Sequence, residues 1–177
     1  EVDSAQNLIE NNMEISQNIK LFAYPYGEFN TQLTQLVIDL GFTGFGQHSG
    51  AVGFDSDFGA LPRFPISSRY ADIDTLKVKL LSLAFPATII AKSENPILKR
   101  QGNNPPILHF NIADNKILDS TVCYNSNGEK ISTLINGNIL TVKALKELNK
   151  GRHRYTCTSP STISGRYYWI SHQWLVE

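Results

Sequence analysis

Neither sign of charge predominates in this sequence: 16 basic residues stand against 16 acidic ones. No basic stripe is available to grip phosphates, which argues against a nucleic-acid partner. Long apolar runs are missing too. Those present are short, as at Ile89-Ile90-Ala91, and none is long enough to span a membrane. The chain starts at Glu1 without an initiator methionine, so it reads as processed or truncated, and the lack of an export signal says nothing about compartment. Internal repeats and low-complexity tracts are also absent. Cysteine is scarce, with Cys123 and Cys157 only, 34 residues apart in strand-like stretches. No zinc-ligand spacing surrounds either. Two readings stay open. One is a disulfide, implying an oxidising compartment and about 3 kcal/mol of stabilisation. The other is a pair of buried free thiols. The all-β character of that region, where two strands can staple two sheets, favours the disulfide.

Residues 1–91 read as α/β. Val2, Leu8, Ile9 and Met13 form a weakly periodic first segment that Ser4 can cap. Residues 19–24 are a short apolar run ended by Pro25-Tyr26-Gly27. Leu33, Leu36, Val37 and Leu40 repeat at helical spacing, with Gly41 placed to close the helix. Residues 42–45 then read as a strand, completing the strand–helix–strand signature of a parallel sheet. Residues 46–61 are a long loop rich in Gly, Asp and Ser, a length that usually signals function or mobility. Arg63-Phe64-Pro65-Ile66 reads as a further strand, and Asp72 as the cap of a helix running to about Leu83.

Residues 92–105, rich in proline and small polar side chains, read as a linker. From 106 to 177 the texture is all-β. Leu108, Phe110 and Ile112 alternate with polar residues, further strands are expected over 118–124, 131–134, 139–142, 153–158 and 166–176, and Asn127-Gly128 and Asn136-Gly137 mark hairpins. Such a set suggests a small immunoglobulin-like sandwich. On the last strand Tyr168, Ile170, His172 and Trp174 share one face, and Tyr167, Trp169, Ser171 and Gln173 the other. Core packing explains these aromatics better than a sugar-stacking surface does.

The sharpest local signal is Phe22-Ala23-Tyr24-Pro25-Tyr26-Gly27-Glu28, an apolar strand that stops at a tight turn. Ligands of α/β folds bind at that strand edge, and a turn there can aim backbone N–H groups at an oxyanion. The plain alternative is an ordinary strand-ending turn. Together with Gly41-Phe42-Thr43-Gly44-Phe45-Gly46, Leu61-Pro62-Arg63-Phe64-Pro65-Ile66 and the tail Gly165-Arg166-Tyr167-Tyr168-Trp169, this segment resembles the polysaccharide deacetylases (NodB-homology, carbohydrate esterase family 4). The resemblance implies the C-terminal portion of a distorted (β/α) barrel followed by the sandwich. It implies hydrolysis of acetyl groups, chiefly N-acetyl, on a cell-envelope or exported bacterial polysaccharide, in the periplasm or outside the cell. It also implies a divalent metal, typically zinc, in the intact parent. Tyr24, Pro25, Tyr26 and Gly27 would line the substrate groove, and the Tyr26 N–H would donate to the oxyanion.

The sequence departs from that family where the metal is concerned. The Thr-Phe-Asp-Asp-Gly and His-(Ser/Thr)-x-x-His motifs are absent, Ala23 stands where the family commonly has Arg, and no Leu-x-His follows Arg63. This chain alone is therefore expected to hold no metal and to be inactive. Because one or two strand–helix–strand units leave a sheet edge open, an N-terminal remainder is expected as partner, in the same or a cleaved chain. His48, on the ligand edge in Gly46-Gln47-His48-Ser49-Gly50, is a candidate acid or substrate contact, or else a solvated loop histidine. Arg63 is a candidate supporting residue that pairs with a carboxylate, or a plain surface arginine. His109, His153 and His172 are expected to be structural or surface residues, and Asp55 and Asp57 solvated ones. The rival function is a non-catalytic module that binds glycan or a protein partner.

Overall fold

The apolar run before Pro25 forms strand β1 (Lys20–Ala23), and in the computed structural model, which describes residues 1–13, 19–67, 70–90, 95–99 and 102–177, it has one partner. Helix α1 (Val2–Met13) precedes it. The helix begins at Val2, so Ser4 lies within its first turn and does not cap it. After β1 comes helix α2 (Thr31–Asp39), capped by Asn30, whose side chain accepts from the Leu33 N–H at 2.7 Å. Gly41, at φ +77°, lets the chain leave the helix in the left-handed region. Strand β2 (Phe42–Phe45) then pairs parallel with β1, Lys20 opposite Phe42 and Ala23 opposite Phe45. Tyr24, Val37, Phe42 and Ala60 make the small core of this unit, with Leu33 and Leu40 against it.

Among the described residues no further parallel strand joins this pair. Phe45 and Leu61 form one isolated bridge, and the segment expected as a strand, Arg63-Phe64-Pro65-Ile66, is irregular. Pro62 and Pro65 carry no N–H to offer a ladder, and the Arg63 N–H is used by the carbonyl of His48 at 2.9 Å. Helix α3 (Ile73–Leu80) follows, capped by Asp72 as expected but ending before Leu83. The short strands β3 (Leu83–Ala84), β4 (Thr88–Ile89) and β5 (Ile97–Leu98) come next, and all three pair with strands of the C-terminal half. Of the stretch expected as a linker, residues 92–94 and 100–101 lie outside the described residues, while β5 sits within it.

The remaining elements are β6 (Ile107–Asn111), α4 (Asn115–Ser120), β7 (Val122–Tyr124), β8 (Ser132–Asn136), β9 (Ile139–Lys143), β10 (Gly151–Pro160) and β11 (Tyr167–Val176). Residues 118–120, expected as strand, are helical instead. The Asp114 side chain accepts from the Lys116 N–H and starts a turn that buries Ile117 and Leu118. A five-stranded sheet runs β3-β11-β10-β7 with β5 also on β11, and a four-stranded sheet runs β4-β6-β9-β8. Their inner faces share one core of Leu108, Phe110, Leu140 and Val142 against Tyr155, Cys157, Trp174 and Val176. Tyr168 and Ile170 pack on it, the face on which alternation puts them.

The chain is therefore β-rich. Among the described residues it has three sheets and four short α-helices, and no barrel closes. This corrects the expectation of an α/β chain built from the C-terminal portion of a (β/α) barrel. The physical reason lies after β2. A barrel needs each strand to be followed by a crossover to another parallel strand of the same sheet, whereas the strands after α3 turn to the other two sheets.

Cys123 and Cys157 are disulfide-bonded. They stand directly opposite each other on β7 and β10, so the bond links neighbouring strands of one sheet and does not staple two sheets.

Candidate functional site

Pro25, Tyr26 and Gly27 form a single 3-10 turn at the end of β1. The Gly27 N–H donates to the Tyr24 carbonyl at 2.8 Å and the Glu28 N–H to that of Pro25 at 3.1 Å. Tyr26 has φ 57° and ψ 7°, the left-handed region that glycine or asparagine normally takes at this turn position. Among the described residues it is the one non-glycine with positive φ. Holding tyrosine there costs about 1–2 kcal/mol, and burial of its ring does not compensate, because Tyr26 is 71% exposed. No hydrogen bond within the described residues uses its N–H. Gly27, at φ +71°, is required on two counts, since a Cβ there would lie 2.5 Å from Cβ of Gln47.

The C-terminal sheet supplies the opposite wall. The Gln173 side-chain amide donates to the Gly27 carbonyl at 2.6 Å. Nε of Arg152 donates to Oε1 of Glu28 at 2.6 Å, and its guanidinium lies over the Tyr26 ring, 5.1 Å from the centroid. Below the turn, Trp169 donates from Nε1 to Oγ of Ser49 at 3.1 Å, and the Ser171 hydroxyl donates to the Ser49 carbonyl. The face of β11 pointing away from the sandwich core thus docks on residues 46–50. The result is a groove of about 260 Å³, lined by Tyr26, Gly27, Gln47, His48, Tyr70 and Arg154 among others. A larger cleft of about 890 Å³ also has His48 in its lining, together with Asp55, Asp57 and His172.

The sequence candidates divide accordingly. Tyr26, Gly27 and His48 line the groove, and Pro25 shapes its turn without lining it. Tyr24 is only 2% exposed, and its hydroxyl donates to the Gly59 carbonyl at 2.6 Å. Burial, then the charge of Asp57, raises its pKa to about 12, so the hydroxyl stays a donor at neutral pH. Its work is to pin the loop after β2. Tyr24→Phe should leave the buried Gly59 carbonyl unpaired and cost about 1–3 kcal/mol in urea unfolding; an unchanged midpoint would show that the bond contributes nothing. The Arg63 side chain is exposed and makes no ion pair among the described residues.

His48 and His172 are brought into one neighbourhood, which spacing in the sequence hides. Nδ1 of His48, Nε2 of His172 and Nε1 of Trp174 are shut off from solvent and have no hydrogen-bond partner among the described residues. Burial lowers the pKa of His48 to about 4. Burial, then the charge of His48, lowers that of His172 to about 3. Both rings are neutral at pH 7, so His48 carries no imidazolium proton to give as an acid there. His109 and His153 have structural partners in Thr141 and the Asn149 carbonyl. Sequence reasoning missed Glu28, Gln47, Arg152 and Arg154 as groove residues; their only signal was that Arg152 and Arg154 alternate on one strand.

Among the described residues no group of three or more His, Cys, Asp or Glu is placed to hold a metal ion. The residues present therefore do not fit the divalent metal that the sequence resemblance implies, and no step through a metal is derived. None of the described helices is long and apolar enough to cross a membrane, and the disulfide fits an oxidising compartment. No protein-family model matches the chain, and no similar sequence is found among curated proteins.

Proposed function

We propose that this chain holds an acetylated polysaccharide in the Tyr26 groove, as the substrate-holding part of a polysaccharide deacetylase of the bacterial periplasm or cell exterior. The observation that carries the reading is the Tyr26 backbone. An exposed aromatic ring is kept in a costly conformation, with an unused N–H, at the mouth of a groove. Strain that the fold itself does not need points to function. The ring offers a flat apolar face to a sugar, and the N–H offers a fixed donor to an acyl oxygen. Hydrolysis would then depend on groups from the rest of the protein. One edge of β1 is open to them, since its described partner is β2 alone and Leu21 is 59% exposed. The second reading is that the chain binds glycan without hydrolysing it.

Titration with an N-acetylglucosamine oligosaccharide and with its de-N-acetylated counterpart, followed by NMR, tests the groove. The acetylated form should bind more tightly and shift the amides of Tyr26, Gly27 and Gln47. Tyr26→Asn takes up the same backbone at lower cost, so it should keep or raise the unfolding midpoint while weakening binding roughly tenfold. Equal binding of both oligosaccharides, or none, would remove the acetyl-recognition reading. Adding the full parent protein with zinc separates the two readings, since release of acetate supports the deacetylase and binding alone supports the module.

A further inference from the structure

Arg154 stands on β10 directly opposite Gln173 of β11 and two residues from Arg152, so all three side chains rise from the same face of the sheet. That face meets the Pro-Tyr-Gly turn: Gln173 holds the Gly27 carbonyl, and Arg152 is held by Glu28 and the Tyr26 ring. Arg152 is thus already neutralised. Arg154 also lines the groove and is half-buried, but its guanidinium has no ion pair or hydrogen bond among the described residues; only its backbone is used, N–H to Ser126 Oγ at 2.7 Å and carbonyl from the Ser126 hydroxyl. His153, its neighbour in the groove lining, donates from Nε2 to the Asn149 carbonyl at 2.8 Å. Counting Glu28, Arg152 and Arg154, the groove carries an uncompensated positive charge.

A partly buried guanidinium is a planar fork suited to a carboxylate, and it is poorly satisfied by a neutral hydroxyl. We propose that Arg154 recognises a carboxylate on the bound glycan, so that the groove selects an acidic polysaccharide, one whose acetylated sugar lies beside a uronate or a similarly acidic unit. This rests on the reading of the groove as a glycan site and names its substrate class. Arg152 belongs to the turn and holds Tyr26 in place; Arg154 is the residue left to read charge.

The test compares two N-acetylated oligosaccharides of equal length, one neutral and one with alternating uronate, by calorimetric titration against the wild-type chain, Arg154→Gln and Arg154→Lys. The acidic ligand should bind roughly ten- to a hundredfold more tightly to wild type. Arg154→Gln should abolish that advantage while costing the neutral ligand far less than the acidic one, and Arg154→Lys, which keeps the charge but loses the fork, should fall between. The far-UV circular dichroism spectrum and urea midpoint of each variant show that it is folded. Equal affinity for both ligands, or an advantage that survives in Arg154→Gln, overturns the carboxylate inference and leaves the glycan reading standing. If neither ligand binds wild type, the glycan reading fails and the inference with it.

Discussion

Replacing Cys123 and Cys157 together with alanine is expected to lower the unfolding free energy by about 3–4 kcal/mol. The bond closes a loop across a sequence separation of 34, and that loop contains β8 and β9, half of the four-stranded sheet. Without the bond, the unfolded chain regains the freedom of that loop, while the folded chain keeps the β7–β10 ladder. Both cysteines are buried in the shared core, so the lost sulfur packing adds to the cost. Urea unfolding of the oxidised protein and of the double variant would measure the effect. A loss under about 1 kcal/mol would mean that the unfolded loop is already compact and that the entropic account is wrong for this chain.

Acid should weaken the fold well before its carboxylates protonate. His48 and His172 have folded pKa values of about 4 and about 3, below the ordinary value of about 6.5 that holds in the unfolded chain. Above pH 6.5 both states carry neutral rings, and these groups contribute no pH dependence. As pH falls from 6.5 towards 4, the unfolded chain takes up protons that the folded chain refuses, so stability declines with falling pH. The decline is about 1.4 kcal/mol per pH unit for each ring, or about 3 kcal/mol from each by pH 4. Below their folded pKa values the loss levels off. Guanidinium unfolding at pH 7, 6 and 5 should show this slope, and the double variant His48→Gln, His172→Phe should flatten it. The same slope in that variant would place the acid sensitivity elsewhere, and the two rings would have to be solvated in the folded state.

The groove and the histidine pair were legible in the sequence to very different degrees. Pro25-Tyr26-Gly27 announced a turn at a strand end, and the turn is there, because proline and glycine act locally through φ and a missing N–H. Nothing local said that the turn would face β10 and β11. That contact depends on Gln173 reaching Gly27 across a sequence separation of 146. Likewise His172 read as a strand residue of no special interest until the docking of residues 46–50 on β11 placed it within the electrostatic reach of His48.

What the sequence determined by itself is local and periodic. It includes the Asp72 cap of α3, the left-handed exit at Gly41, and the alternation that sends Trp174 inward and Gln173 outward on β11. Each follows from interactions within a few residues or from a period of two or 3.6. The tertiary structure alone decided which sheet each short strand joined. β3, β4 and β5 have two residues each, too few to carry a pattern, and they pair with the backbone along the edges of β6 and β11. That choice ended the parallel sheet at two strands, replaced a barrel by two facing sheets, and brought Arg154 and Gln173 to the turn. Long-range burial, which no short stretch of sequence encodes, set all three.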